Sequence, residues 1–180
     1  MPILSSHDSM VLLVDMQASL LPAIDKQESL MQCAVRLVKA AQLLGVPVVA
    51  TEHCAAKIGR TSPDLRPWID HVIHKTHFDA TREVHFLHEM PKRRTNVLLI
   101  GTEAHVCVLQ TGLGLARTGF TPVLVSDCIG SRRQADLVAA QNRWNHHGLE
   151  QISSEMAMFE WLETPDHPQF KEVLALIKSA

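Results

Sequence analysis

The chain has 180 residues, 46% of them hydrophobic and 20% charged, enough to build one core of ordinary size without disulfides or a structural metal. Its 17 basic and 19 acidic residues leave a net charge of -2, which argues against a nucleic-acid or anionic-membrane partner. Tyrosine is absent and aromatics reach only 4%, which argues against a base-stacking surface.

In chain order, the opening MPILSSHDSM lacks the basic and long apolar stretches of a secretory signal. No apolar run approaches the ~18 residues of a membrane span, so the expectation is a cytoplasmic protein without membrane contact. Residues 10–14 (MVLLV) form a first apolar run, ending at Asp15. Residues 28–44 place Leu30, Ala34, Leu37, Val38, Ala41 and Leu44 at a helical period that stops at Gly45, a suitable C-terminal cap. Residues 47–50 (PVVA) lead into Thr51. The stretch 52–70, rich in Gly, Pro, Ser and charge, reads as one long functional loop. A weaker strand at 71–74 (HVIH) ends at Lys75. Residues 97–100 (VLLI) run into Gly101, and a helix over 106–117 is closed by Gly119. Residues 122–125 (PVLV) run into Ser126 and Asp127. A helix over 134–147, a weak strand at 150–153 and closing helices at 156–162 and 170–177 complete the pattern. The strong strands have no polar face, as in parallel sheets buried on both sides. Alternating strand and helix predicts βαβ units in a single domain over residues 1–180.

Ligands in such sheets bind beyond the carboxyl ends of the strands. That edge collects Asp15, Thr51, Glu52, His53, Lys75, the run from Gly101 to Cys107, Ser126 and Asp127. Cys107 opens the helix at 106–117, where backbone N–H groups favour a thiolate and can hold an oxyanion. Asp15 has the chemistry of a general base, and Lys75 can steady negative charge. Read singly, each has an ordinary alternative: a packed thiol, a turn-capping carboxylate, a solvated lysine. Of the four cysteines, at 33, 54, 107 and 128 with no C-x-x-C, the other three read as reduced packing thiols.

The combination of VLLVDMQ, HKTHFDA and GTEAHVCVLQT, with VLVSDCIGSR and SSEMAMFEWL further on, resembles the isochorismatase-like cysteine hydrolases along nearly the whole chain. The resemblance implies a three-layer α/β/α fold, Rossmann-like, with a six-stranded parallel sheet in the order 3-2-1-4-5-6. It implies Asp15, Lys75 and Cys107 as catalytic residues. It also implies a cis peptide at Thr102-Glu103 and an oxyanion hole from the N–H groups of Glu103 and Cys107. The chemistry it implies is hydrolysis of a small molecule, an amide-type C–N bond, through a thioester; carbamates and vinyl ethers stay open. Met16, Leu20, Glu52, His53, Phe78 and His105 are candidate pocket residues.

The nicotinamidases of that family hold a metal through an Asp-x-His pair, where this chain has Thr51-Glu52-His53-Cys54; the resemblance is therefore to the metal-free subgroup, with no metal and no cofactor expected. His71, His74 and His77 alternate faces along a strand and do not converge on one ion. G-x-G-x-x-G, G-x-S-x-G and P-loop patterns are absent, and Gly112-x-Gly114 reads as close helix packing. Two other classes stay open: a silent binding scaffold on the same fold, and a redox sensor pairing Cys107 with Cys54 or Cys128. Residues 156–162, apolar on more than one face, suit a homo-oligomer contact or ordinary core packing.

Overall fold

The computed structural model describes residues 3–179; the first two residues of the opening segment lie outside that range. Six strands form one parallel sheet: β1 (Ser9–Val14), β2 (Val48–His53), β3 (His71–Lys75), β4 (Asn96–Thr102), β5 (Thr121–Gly130) and β6 (Glu150–Ile152). Their order is β3-β2-β1-β4-β5-β6, as the resemblance implied. Chain reversal between β1 and β4 opens a crevice at the carboxyl ends of these two central strands, where ligands bind in sheets of this order.

Alternation along β1 explains why its sequence has no polar face. Val11 and Leu13 enter one buried cluster with α1 (Gln27–Leu43), while Met10, Leu12 and Val14 enter another on the opposite face. The short helices α2 (Ala55–Ile58) and α3 (Phe86–Glu89) lie in the connections around β3. The helices α4 (Leu109–Arg117) and α5 (Gln134–His146) supply Leu115 and Trp144 to the second cluster. The first cluster is closed by α6 (Ser154–Leu162) and α7 (Phe170–Lys178). Close packing explains Gly112: a Cβ there would stand 2.2 Å from the Trp144 ring.

Three local differences from the sequence expectation matter for the site. The 52–70 stretch is not one irregular loop; β2 continues to His53, and α2 and a 3-10 turn at Arg66–Trp68 follow. The helix after β4 begins with a π-helical turn, Ala104–Val108. β5 runs five residues past its apolar segment: Leu99 pairs with Leu124, yet Gly101 pairs with Ile129. The polar Ser126-Asp127 pair hides this bulged continuation from a reading based on apolar runs. In α6, Ala157, Met158, Trp161 and Leu162 are buried, while Met156 and Phe159 stay 49% and 41% exposed. Among the described residues no helix is long and apolar enough to cross a membrane.

Candidate active site

β1 and β4 lie so close at their carboxyl ends that a Cβ on Gly101 would stand 2.1 Å from the Val14 carbonyl oxygen. Glycine also tolerates the φ of 127° found there. Immediately after β1, Asp15 takes a left-handed φ of 50°, which lets its carboxylate reach the crevice while Met16 returns to the core. The Thr51 hydroxyl donates to Asp15 Oδ1 at 2.7 Å. Thr102 Oγ1 donates to the Asp15 carbonyl at 3.0 Å.

Lys75 is on the same face of β3 as buried Ile73, as strand alternation requires. Its Nζ lies 2.7 Å from Asp15 Oδ2, and the two side chains are 0% and 1% exposed. Nζ also donates to the His77 carbonyl at 3.1 Å. Glu83 holds the same residue by its N–H and its ring: Oε1 accepts from Thr76 N at 2.7 Å, His77 N at 3.0 Å and His77 Nδ1 at 2.9 Å. Hydrogen bonding, led by the His77 backbone N–H, lowers the Glu83 carboxyl to about 2. Glu83 is an acid that sequence reasoning missed, since nothing in DATRE marks which way it folds back.

Cys107 lies in the π-helical turn and is buried. The Asp15 carboxylate and the Lys75 ammonium are the charges that act on its thiol. Burial, and then the Asp15 charge, push that thiol up to about 12, with Lys75 pulling weakly the other way. This corrects the expectation of a lowered pKa at a helix start. The helix end contributes about half a charge, whereas the neutral Asp15–Lys75 pair leaves a third buried charge with little to gain and its full desolvation to lose. The resting thiol is protonated.

A cavity of about 270 Å³ opens over these groups. Asp15, Cys107, Thr102 and Glu103 line it, and the Thr102-Glu103 peptide is cis. Of the six candidate pocket residues, Leu20, His53 and Phe78 line this cavity. The other three do not. Met16 is fully buried in the first core cluster. Glu52 is on the opposite face of β2 from Thr51 and His53, and its Oε1 accepts from Thr61 N at 2.7 Å. His105, two positions before Cys107 in a helical turn, faces elsewhere and lies 3.0 Å from Ser131 Oγ. Ile24, Ile58, Val106 and Arg132 line the cavity without having been singled out. Arg132, beyond the carboxyl end of β5, is paired with Glu103 (Nε to Oε1, 3.0 Å). Its place just after a strand end was the available signal.

His53 is 5.4 Å from Phe78, ring to ring. Burial and then Lys75 lower its pKa, against weaker opposite pulls from Asp15 and Glu83. The other histidines of the β3 region end on separate carboxylates: His71 on Glu89 at 2.6 Å, His74 on Glu52 at 3.5 Å and His77 on Glu83 at 2.9 Å. A larger concave surface, about 650 Å³ along β3, is lined by Arg60, Arg66, Asp70 and His71 and contains none of Asp15, Lys75 and Cys107.

Cys128 belongs to the first core cluster and Cys107 to the second. The sheet separates them, so Cys128 cannot serve as a resolving thiol for Cys107. Cys128 instead lies 2.7 Å from Cys33, sulfur to sulfur.

Residues 9–156 match the family described as the isochorismatase domain. The bovine isochorismatase domain-containing protein 2 is 34% identical over 170 residues, 94% of this chain and 83% of its own. The mouse protein 2A is 31% identical over 172 residues, 96% and 84% of the two chains. Among solved structures, one described as the MAR1 ribonuclease of Caenorhabditis elegans has a TM-score of 0.91 at 29% identity, covering 98% of this chain and 93% of its own.

Proposed function

Because this chain belongs to the isochorismatase family of hydrolases, we propose that it is a single-domain cysteine hydrolase of small neutral amides, with Cys107 as nucleophile, Asp15 as proton carrier and Lys75 as its cationic partner. The observation that carries this reading is the buried Asp15–Lys75 pair beside the Cys107 thiol at one cavity.

A thiol held near 12 is not a standing nucleophile. Its proton passes to Asp15 as sulfur attacks the substrate carbonyl carbon. Asp15 is then neutral, and the Lys75 cation, freed from its partner's charge, favours the new oxyanion. The N–H groups of Glu103 and Cys107 are proposed to hold that oxyanion. Asp15 returns the proton to the leaving nitrogen, the C–N bond breaks, and a thioester remains on Cys107. Water, deprotonated by Asp15, releases the acid and restores the thiol.

The cavity supports the substrate class. Its volume lies below the usual ~300–1,000 Å³ of ligand pockets, and much of its lining is Leu20, Ala23, Ile24, Ile58, Phe78 and Val106. Its charges are paired within the protein, Asp15 with Lys75 and Glu103 with Arg132. A neutral, compact, largely apolar amide needs no unpaired partner there. The four free thiols suit the cytoplasm, and Met156 with Phe159 offers a contact for a homo-oligomer.

The test is a panel of small neutral amides and carbamates, with short single-stranded RNA alongside, assayed with the wild type and Cys107→Ala. The expected result is amide turnover that falls by about 10³-fold or more in the variant and no RNA cleavage. RNA cleavage indifferent to Cys107→Ala, with every amide inert, would overturn the reading.

A further inference from the structure

The bulge that carries β5 past its apolar segment brings Cys128 against Cys33 of α1, with both sulfurs buried and 2.7 Å apart. Cys33 Sγ donates to Ser154 Oγ at 3.2 Å, and Ser154 Oγ donates to Asp127 Oδ2 at 2.7 Å. Asp127 is exposed. A chain of hydrogen bonds thus leads from the thiol pair to a carboxylate at the surface. Beside it, a cleft of about 130 Å³ is lined by Ser29, Leu30, Asp127 and Ile129.

We propose that Cys33 and Cys128 form a reversible disulfide, an oxidative modification site on the sheet face opposite Cys107. The competing use of Cys33, Cys128 and Asp127 is a metal site. Two sulfurs on one tetrahedral zinc stand about 3.8 Å apart, from Zn–S bonds of about 2.3 Å. The observed pair is closer than that, and both Asp127 oxygens already accept from Ser154, through its N–H and its hydroxyl.

The two thiols are not equivalent. At Cys33 the hydrogen bond from Cys128, helped by that with Ser154, lowers the pKa against the opposing pull of burial, while at Cys128 burial dominates and raises it. Cys33, the sulfur whose hydrogen bond leads through Ser154 to Asp127, is therefore the one that reacts first. Its proton leaves along Ser154 to Asp127. The thiolate attacks hydrogen peroxide, the O–O bond breaks, and Cys33 becomes a sulfenic acid, while the leaving hydroxide takes the proton parked on Asp127 and departs as water. Cys128 sulfur then attacks Cys33 sulfur; the S–S bond forms, the S–O bond breaks, and the hydroxyl departs with the remaining thiol proton as a second water. Two electrons pass from the sulfurs to the peroxide.

The link has a place in the cavity's architecture. A Cβ on Gly130 would meet Ile24 at 2.6 Å, and Asp25 N donates to the Ser131 carbonyl at 3.1 Å. Ile24 and Arg132, both lining the cavity, thus extend from backbone that the disulfide would tie together.

The experiment exposes the reduced Cys107→Ala chain to hydrogen peroxide, alkylates it in denaturant, and maps its peptides without reduction. The expected result is one linked peptide pair containing Cys33 and Cys128, an intact mass lower by two hydrogens, and full reversal by dithiothreitol. Adding Cys33→Ser, or Cys128→Ala should that variant fold poorly, should remove the link. Complete alkylation of both thiols after peroxide would overturn the proposal. So would a link to Cys54, or one zinc per chain released on blocking this pair. No readout uses hydrolysis, so the result is independent of the reading of Cys107.

Discussion

Cys107 sits on one face of the sheet beside a carboxylate and an ammonium 2.7 Å apart. Cys33 and Cys128 sit on the other, beside a hydroxyl that leads to exposed Asp127. Burial raises the thiol pKa at Cys107 and Cys128 alike. What differs is where the proton can go. On the first face the proposed acceptor is internal, Asp15, which would hand the proton back within one catalytic cycle. On the second it has an exit to solvent and a neighbouring sulfur able to form a bond. On the two proposals, the same residue type serves reversible proton transfer in one place and oxidation in the other.

The sharpest way to break that contrast is to remove the internal acceptor. Asp15→Asn should lower turnover of the best amide substrate by about 10³-fold or more, while peroxide linking of Cys33 to Cys128 continues. Steady-state kinetics and peptide mapping of one preparation check both halves. Lys75→Met should cost about 3–5 kcal/mol in urea unfolding, because it strands a buried carboxylate. Ser154→Ala, on the other face, should cost about 1–2 kcal/mol and leave turnover unchanged.

Titration sharpens the comparison further. With Cys107 raised to about 12 from an ordinary value near 9, its alkylation rate should climb about tenfold per pH unit up to pH ~10 without a plateau. Favouring the protonated thiol stabilises the fold fully below the ordinary value, and that contribution is lost as pH rises from there toward 12. Cys107→Ala should remove the loss, as thermal melts at alkaline pH would reveal. A plateau near neutral pH would mean a standing thiolate and contradict the mechanism.

The smallest expected loss of turnover belongs to Glu83, which acts on Lys75 through His77. Its lowered pKa makes it stabilising above the ordinary carboxyl range, with the contribution lost as pH falls from about 4.5 toward 2. Glu83→Gln should flatten acid unfolding over that window and cost about 1–2 kcal/mol near neutrality. It should lower kcat several-fold with little change in KM, the split expected of a positioning residue.

How much was legible in the sequence follows from which forces were local. Double burial writes itself as an unbroken apolar run, so β1 and β4 could be read directly, and strand ends then put Asp15, Lys75 and Cys107 at one edge. β5 was cut short because its second half, SDCIG, follows a bulge that only pairing with β4 defines. Side-chain direction was the commonest loss. Met16 depends on the left-handed turn at Asp15, Glu52 on alternation along β2, and His105 on rotation within a π-helical turn. Arg132 and Glu83 matter through partners that loop geometry supplies. The rise in the Cys107 pKa could not be read either, since it reflects burial winning over the helix end.

Rapid acid quenching of the chain with a turned-over amide, followed by peptide mass mapping, addresses the central claim directly. The account predicts a transient acyl group on Cys107, absent in Cys107→Ala and decaying at the rate of turnover. Hydrolysis with no acyl group on Cys107, or one carried by Cys33, Cys54 or Cys128, would contradict it.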